Sequence, residues 1–82
     1  MPRYYLHLRS HDWFAPDEVG EDVPNLRAAY EAAVRAIQPI SQSDLWDELP
    51  PDARSTMTIE ITDAAGQIML VVYFSDPLHQ LH

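Results

Sequence analysis

The sequence contains no cysteine, so neither a disulfide nor a thiolate-held zinc can brace the fold. It contains no lysine either, and its basic side chains are all arginines: Arg3, Arg9, Arg27, Arg35 and Arg54. Glycine occurs only twice, which excludes a glycine-rich loop of the kind that cradles phosphate. No apolar stretch approaches the roughly 20 residues needed to cross a bilayer. The longest, residues 68–74, has the length of a strand. The opening Met1-Pro2-Arg3-Tyr4-Tyr5-Leu6-His7 lacks the apolar core of a signal peptide. A cytoplasmic location is the expectation.

What the chain does have is acid. Asp and Glu number 13 against the 5 arginines, giving a formal net charge of −8. Such a surface repels phosphate backbones and anionic lipid, so nucleic-acid and membrane partners are not expected. At 82 residues there is room for one domain. A chain of this size buries only about 60–65% of its unfolded surface, so packing is limited and a partner subunit would help it. A hydrophobic share of 46% is ordinary for a globular domain and argues against disorder. The 7 prolines fall between the stretches of regular pattern and act as punctuation.

Residues 3–9 alternate as a strand, with Tyr4, Leu6 and Leu8 on the core face and Tyr5, His7 and Arg9 on the other. Residues 13–15 read as a short second strand stopped by Pro16, 17–20 as a turn with Gly20 free to take positive φ, and 21–23 as another extended piece before Pro24, the whole forming a loose hairpin or an excursion. Asn25 is a helix cap. After it, Leu26, Ala29, Tyr30, Ala33, Ile37 and Ile40 make one apolar stripe at spacings of three and four. Pro39 predicts an end near Gln38. Residues 43–49 read as a short helical turn capped by Ser43 and stopped by Pro50-Pro51.

A β-hairpin follows, over 56–62 and 67–74, joined at Asp63-Ala64-Ala65-Gly66 with Gly66 in the left-handed position that starts a bulge. In its second strand Ile68, Leu70, Val72 and Phe74 share one face and Met69, Val71 and Tyr73 the other. With both faces apolar, the strand is expected to be central, or to have its outer face covered by another element or subunit. Leu45, Trp46 and Trp13 are the residues available to cover it from within the chain. The expected fold is α+β: an antiparallel sheet of three to four strands in ββαββ-like order, one main helix on one face, and a C-terminal hairpin. One domain over 1–76 and a flexible tail over 77–82 complete the expected layout.

No pattern of residues assembles chemistry. His7, His11 and Asp12 end the first strand, and His79 and His82 sit three apart in the tail, but nothing fixes the distance between the two groups, so no metal site is assigned. The acids of 17–22 read as a charged loop. Those of 44–52 lack the alternation and central glycine of a calcium loop. There is no nucleophile elbow. No catalytic residue and no cofactor is assigned. The residues assigned to a possible interface are Met69, Val71, Tyr73 and Trp13, the last because tryptophan commonly anchors contacts and because its segment is the least regular.

Several segments in their order resemble one family. They are the opening Met1 to Leu8; Asp17-Glu18-Val19-Gly20 followed by Val23-Pro24-Asn25-Leu26; the helix start Ala28-Ala29 with Glu31-Ala32; and Ile59-Glu60-Ile61-Thr62-Asp63-Ala64-Ala65-Gly66 running into Val72-Tyr73-Phe74-Ser75. Together they resemble the short bacterial proteins catalogued as domain of unknown function 6894, from Met1 to about Ser75. The family usually has an acid or glycine where Val19 stands, and residues 38–54 match no fixed pattern. The resemblance implies fold and boundaries but no activity. A fainter, fold-level similarity links Gly20, Pro24-Asn25-Leu26 and Glu31-Ala32 to the antitoxin half of HicAB-type pairs, without their DNA-binding segment. The expectation is a non-enzymatic interaction or self-associating module. The alternatives are an antitoxin-like or inhibitor-like acidic partner of a basic protein, and a small-ligand binder or enzyme of unknown type.

Overall fold

The computed structural model describes residues 2–75. The tail expected over 77–82 lies outside the described residues. The elements run β1 (Arg3–Ser10), β2 (Trp13–Ala15), β3 (Glu21–Asp22), α1 (Leu26–Ser41), α2 (Asp44–Glu48), α3 (Pro51–Ser55), β4 (Thr58–Thr62) and β5 (Ile68–Tyr73). They form an antiparallel sheet in the order β2-β1-β4-β5, with β3 also paired to β1. The sheet thus has five strands, one more than the upper expectation, because Glu21 and Asp22 return to pair with Tyr4 and Arg3.

Period-two alternation sorts the sheet residues. Leu6 pairs with Ile61 and Leu8 with Ile59, and these side chains join Val72 on the face beneath α1. Ile59, Ile61, Val72, Ala29 and Ala33 are buried and make the main core. Each fully buried isoleucine stabilises the fold by roughly 1.5–3 kcal/mol. The alanines let the helix axis approach the strands closely.

The Asn25 side chain accepts from the Ala28 amide at 2.9 Å and starts α1. The helix does not stop at Gln38 as its proline suggests. Pro39 is accommodated in the last turn and the helix runs to Ser41. Pro39 cannot donate to the Arg35 carbonyl, but both residues are exposed, so the unpaired carbonyl lies on the solvent side. Gln42 closes the end by donating to the carbonyl of Gln38 at 3.1 Å.

The segment between α1 and β4 builds a second, smaller core of Leu49, Ala53 and Met57. Ser43 caps α2, with its hydroxyl accepting from Trp46. Pro50-Pro51 ends that turn, as expected, but also begins α3, since proline suits the first helical position. Trp46 stacks on Phe74 with centroids 5.2 Å apart, and Trp13 packs on the same cluster.

The closing hairpin has the expected turn. Gly66 has φ +87°, and its amide donates to the Asp63 carbonyl at 3.0 Å. The register slips between Ile61 and Thr62, so Thr62 faces Ile68 and Met69 is the extra residue. This overturns one expectation: alternation puts Ile68 on the core face, yet the bulge leaves it 54% exposed. A second correction concerns strand order. β5 is an edge strand, not a central one, because β4 pairs with β1 on its other side.

The two glycines offer a test of local strain. Gly20 has φ +78°, and a Cβ there would lie 2.9 Å from Cγ of Arg3 and 3.0 Å from Tyr5. Gly66 has the same backbone region but nothing within 4 Å. Gly66→Ala is expected to cost about 1 kcal/mol, the left-handed penalty alone, while Gly20→Ala costs more because Arg3 and Tyr5 must also shift. Urea unfolding midpoints of the two variants check the ranking.

Candidate functional site

The face of the sheet opposite α1 holds two distinct groups of residues. The first is polar and surrounds Asp17. Continuing the β2 register two residues puts Asp17 opposite Leu6, yet it is the side chain that pairs. The Leu6 amide donates to Oδ2 of Asp17 at 3.1 Å, while Oδ1 accepts from the amides of Val19 and Gly20 at 3.0 Å each. The Asp17 amide in turn donates to Nδ1 of His7 at 2.8 Å. With Nδ1 an acceptor, neutral His7 carries its proton on Nε2, which lies 3.1 Å from the Thr62 hydroxyl. Burial acts to raise the Asp17 pKa, but the amide donors of Gly20, Leu6 and Val19, aided by His7, outweigh it and hold the carboxyl below its ordinary range.

Around His7 the aromatic rings form a ladder. Tyr5 stacks on His7 at 6.2 Å, His7 lies tilted against Phe14 at 5.7 Å, and the Arg9 guanidinium sits 4.2 Å over the Phe14 ring. Arg9 also pairs with Glu60 at 2.8 Å. These long side chains shade the central strand, so Thr58 and Thr62 are buried although they point away from the helix. At the corner, Arg3 grips Asp22 through two hydrogen bonds of 2.8 and 3.1 Å and closes β3 onto β1.

The second group is apolar and lies along β5. Ile68, Met69, Val71 and Tyr73 are 54, 41, 37 and 56% exposed. Of the interface residues expected from sequence, Met69, Val71 and Tyr73 therefore share one open surface. Trp13 does not join them. It is half-buried against Leu49, Ala53 and Met57, because β2 sets it opposite Ser10 while Phe14 takes the outer position opposite Arg9. Leu45 is exposed and Trp46 is engaged with Phe74, so neither serves as a lid for this surface. Ile68 and Phe14 were missed by sequence reasoning. Alternation alone does not say which of Trp13 and Phe14 faces inward, and the bulge that turns Ile68 outward depends on its pairing with β4.

His7 is tied at both ring nitrogens. His11 is exposed, and its amide donates to the Thr56 hydroxyl at 3.1 Å. No group of three or more His, Asp or Glu among the described residues is placed to hold a metal, and His79 and His82 lie outside them. A depression of about 740 Å³ on α1 is lined by Arg27, Tyr30, Glu31, Val34 and Arg35. No helix among the described residues is long and apolar enough to cross a membrane.

Comparison with known proteins agrees with the extent of this fold. A family model described as Domain of unknown function (DUF6894) matches residues 3–75. No curated protein and no solved structure matches the chain.

The Asp17 contacts predict a pH dependence with a definite sign. Its folded pKa lies below the unfolded value of about 3.9. Its stabilisation is therefore complete above that value and is lost as pH falls through the folded one. Asp17→Ala leaves the Leu6 amide without an acceptor and is expected to cost roughly 1–3 kcal/mol at neutral pH. Asp17→Asn should flatten the loss of stability below about pH 4, since the titrating group is gone. Chemical denaturation at stepped pH values checks both.

Proposed function

The chain belongs to the DUF6894 family, a domain of unknown function, and we propose that it works as a non-enzymatic protein-interaction module whose contact surface is the β5 side of the open sheet face. One observation carries this reading: Ile68, Met69, Val71 and Tyr73 form a run of exposed apolar side chains on a single strand. Single exposed apolar residues need no explanation, but contiguous ones mark contact sites. The polar group beside them supports the same reading from the other side. His7 and Asp17 are bonded to the main chain of their own neighbours, the Asp17 amide to His7 and the amides of Leu6, Val19 and Gly20 to Asp17, which is the pattern of a tie that holds the turn against the strand.

The net charge of −8 favours a protein partner over nucleic acid or anionic lipid, and it suits a cytoplasmic setting. An antitoxin-like or inhibitor-like role toward a basic protein would rest on that charge and on the fold-level similarity carried by Gly20, Pro24-Asn25-Leu26 and Glu31-Ala32. An enzyme or ligand-binding role would need a pocket around His7 and His11.

Site-specific photo-crosslinking in producing cells tests the proposal without naming the partner. A photoreactive phenylalanine analogue at Tyr73 should give a discrete protein adduct, with the chain itself counted among the possible partners. The same analogue at Arg27, on the outer side of α1, should give none. Absence of any adduct from position 73 would sink the interaction reading.

A further inference from the structure

We infer that the partner on this surface is a second copy of the same chain, joined by antiparallel pairing of β5 with the partner's β5. The inference rests on the interaction reading above and supplies its partner. It begins with hydrogen-bonding capacity. The Phe74 amide donates to the Met57 carbonyl at 3.1 Å. Antiparallel alternation then turns the main-chain groups of Val72 and Leu70 toward β4, and those of Val71 and Tyr73 toward the free edge. Among the described residues nothing pairs with that edge.

The two edges of the sheet are built differently. The β2–β3 edge is broken into short pieces, interrupted by Pro16, and lined in sequence by Asp17, Glu18, Glu21 and Asp22. Those are the devices by which proteins prevent strands from joining edge to edge. The β5 edge carries no charge and no proline between Ile68 and Tyr73, and beyond the bulge at Met69 its strand runs unbroken to Tyr73. Among the described residues one edge is thus guarded and the other offers its main-chain groups to a further strand.

Charge selects which strand. A basic peptide strand would be drawn to the acidic β2–β3 edge, leaving β5 to an uncharged one. Two copies each of charge −8 repel wherever their acids meet, and β5 is a strip along which they meet without charge. The chain thus supplies the strand that its own edge accepts. A two-fold axis beside Val71 sets Val71 against its counterpart and Tyr73 against the partner's Met69, giving a closed, self-complementary contact and one continuous sheet.

Light scattering and sedimentation of the purified chain over the micromolar range test this. A concentration-dependent dimer is expected. Hydrogen exchange read by NMR should show the Val71 and Tyr73 amides protected in the dimer and exchanging on dilution. Val71→Pro removes an edge donor without touching the β4 ladder, and Val71→Lys places a charge at the axis. Each should weaken dimerisation roughly tenfold or more, with far-ultraviolet circular dichroism unchanged. If Val71→Pro unfolds, the lysine variant decides. A dimer whose Val71 and Tyr73 amides stay unprotected, or one that survives the substitutions in the folded state, overturns the edge pairing. A strict monomer that still crosslinks from position 73 to another protein overturns the second-copy inference and leaves the interaction reading standing. A monomer with no crosslink overturns both.

Discussion

One helix can cover only one face of one sheet, and this chain has one long helix. At about 1.5 Å per residue, the 16 residues of α1 make a rod long enough to lie over β1, β4 and β5. Ala29 and Ala33 bring it close to Ile59 and Ile61. Everything beneath α1 can therefore be apolar. Everything on the far side must be reconciled with water by other means. The contacting rings of Tyr5, His7 and Phe14, the Arg9–Glu60 pair and the Asp17 tie are those means over β1, β2 and β4. Over β5 no equivalent exists among the described residues, and the apolar side chains remain in the open.

Much of this layout was readable from residues alone, wherever the signal is local. The alternation of Met57, Ile59 and Ile61, the stripe from Leu26 to Ile37, the caps at Asn25 and Ser43, and the positive φ of Gly20 and Gly66 each depend on a few neighbours in sequence. The errors lie where distant segments decide. The two apolar faces of β5 suggest a central strand, yet centrality depends on where β1 docks, some sixty residues away. Ile68 keeps the parity of a core residue, but a bulge set by pairing with β4 turns it outward. Pro39 reads as a stop. It is tolerated because the carbonyl it leaves unpaired lies on the solvent side, which is a property of how α1 is docked rather than of its sequence.

The candidate surface was legible in the same partial way. Met69, Val71 and Tyr73 stood out because their face had no obvious cover. Trp13 stood out because tryptophan is a common anchor, but its ring serves the smaller core. By residue type alone, 17–22 reads as a charged loop. Its signal, an aspartate two and three residues before Val19 and Gly20, is that of a side chain folding back on its own amides. What no local pattern reveals is that the same carboxylate also takes the Leu6 amide and so stands in for a missing stretch of strand.

Both tryptophans belong to the smaller core, Trp46 against Phe74 and Trp13 against the Leu49, Ala53 and Met57 cluster. The chain has only these 2. Tryptophan emission, excited at wavelengths that spare tyrosine, therefore watches the smaller core and not the layer between α1 and the sheet, where Tyr4 and Tyr30 lie. Should the smaller core loosen first on heating, emission would change while the backbone dichroism of helix and sheet held steady, and the two signals would time the melting of the two cores separately.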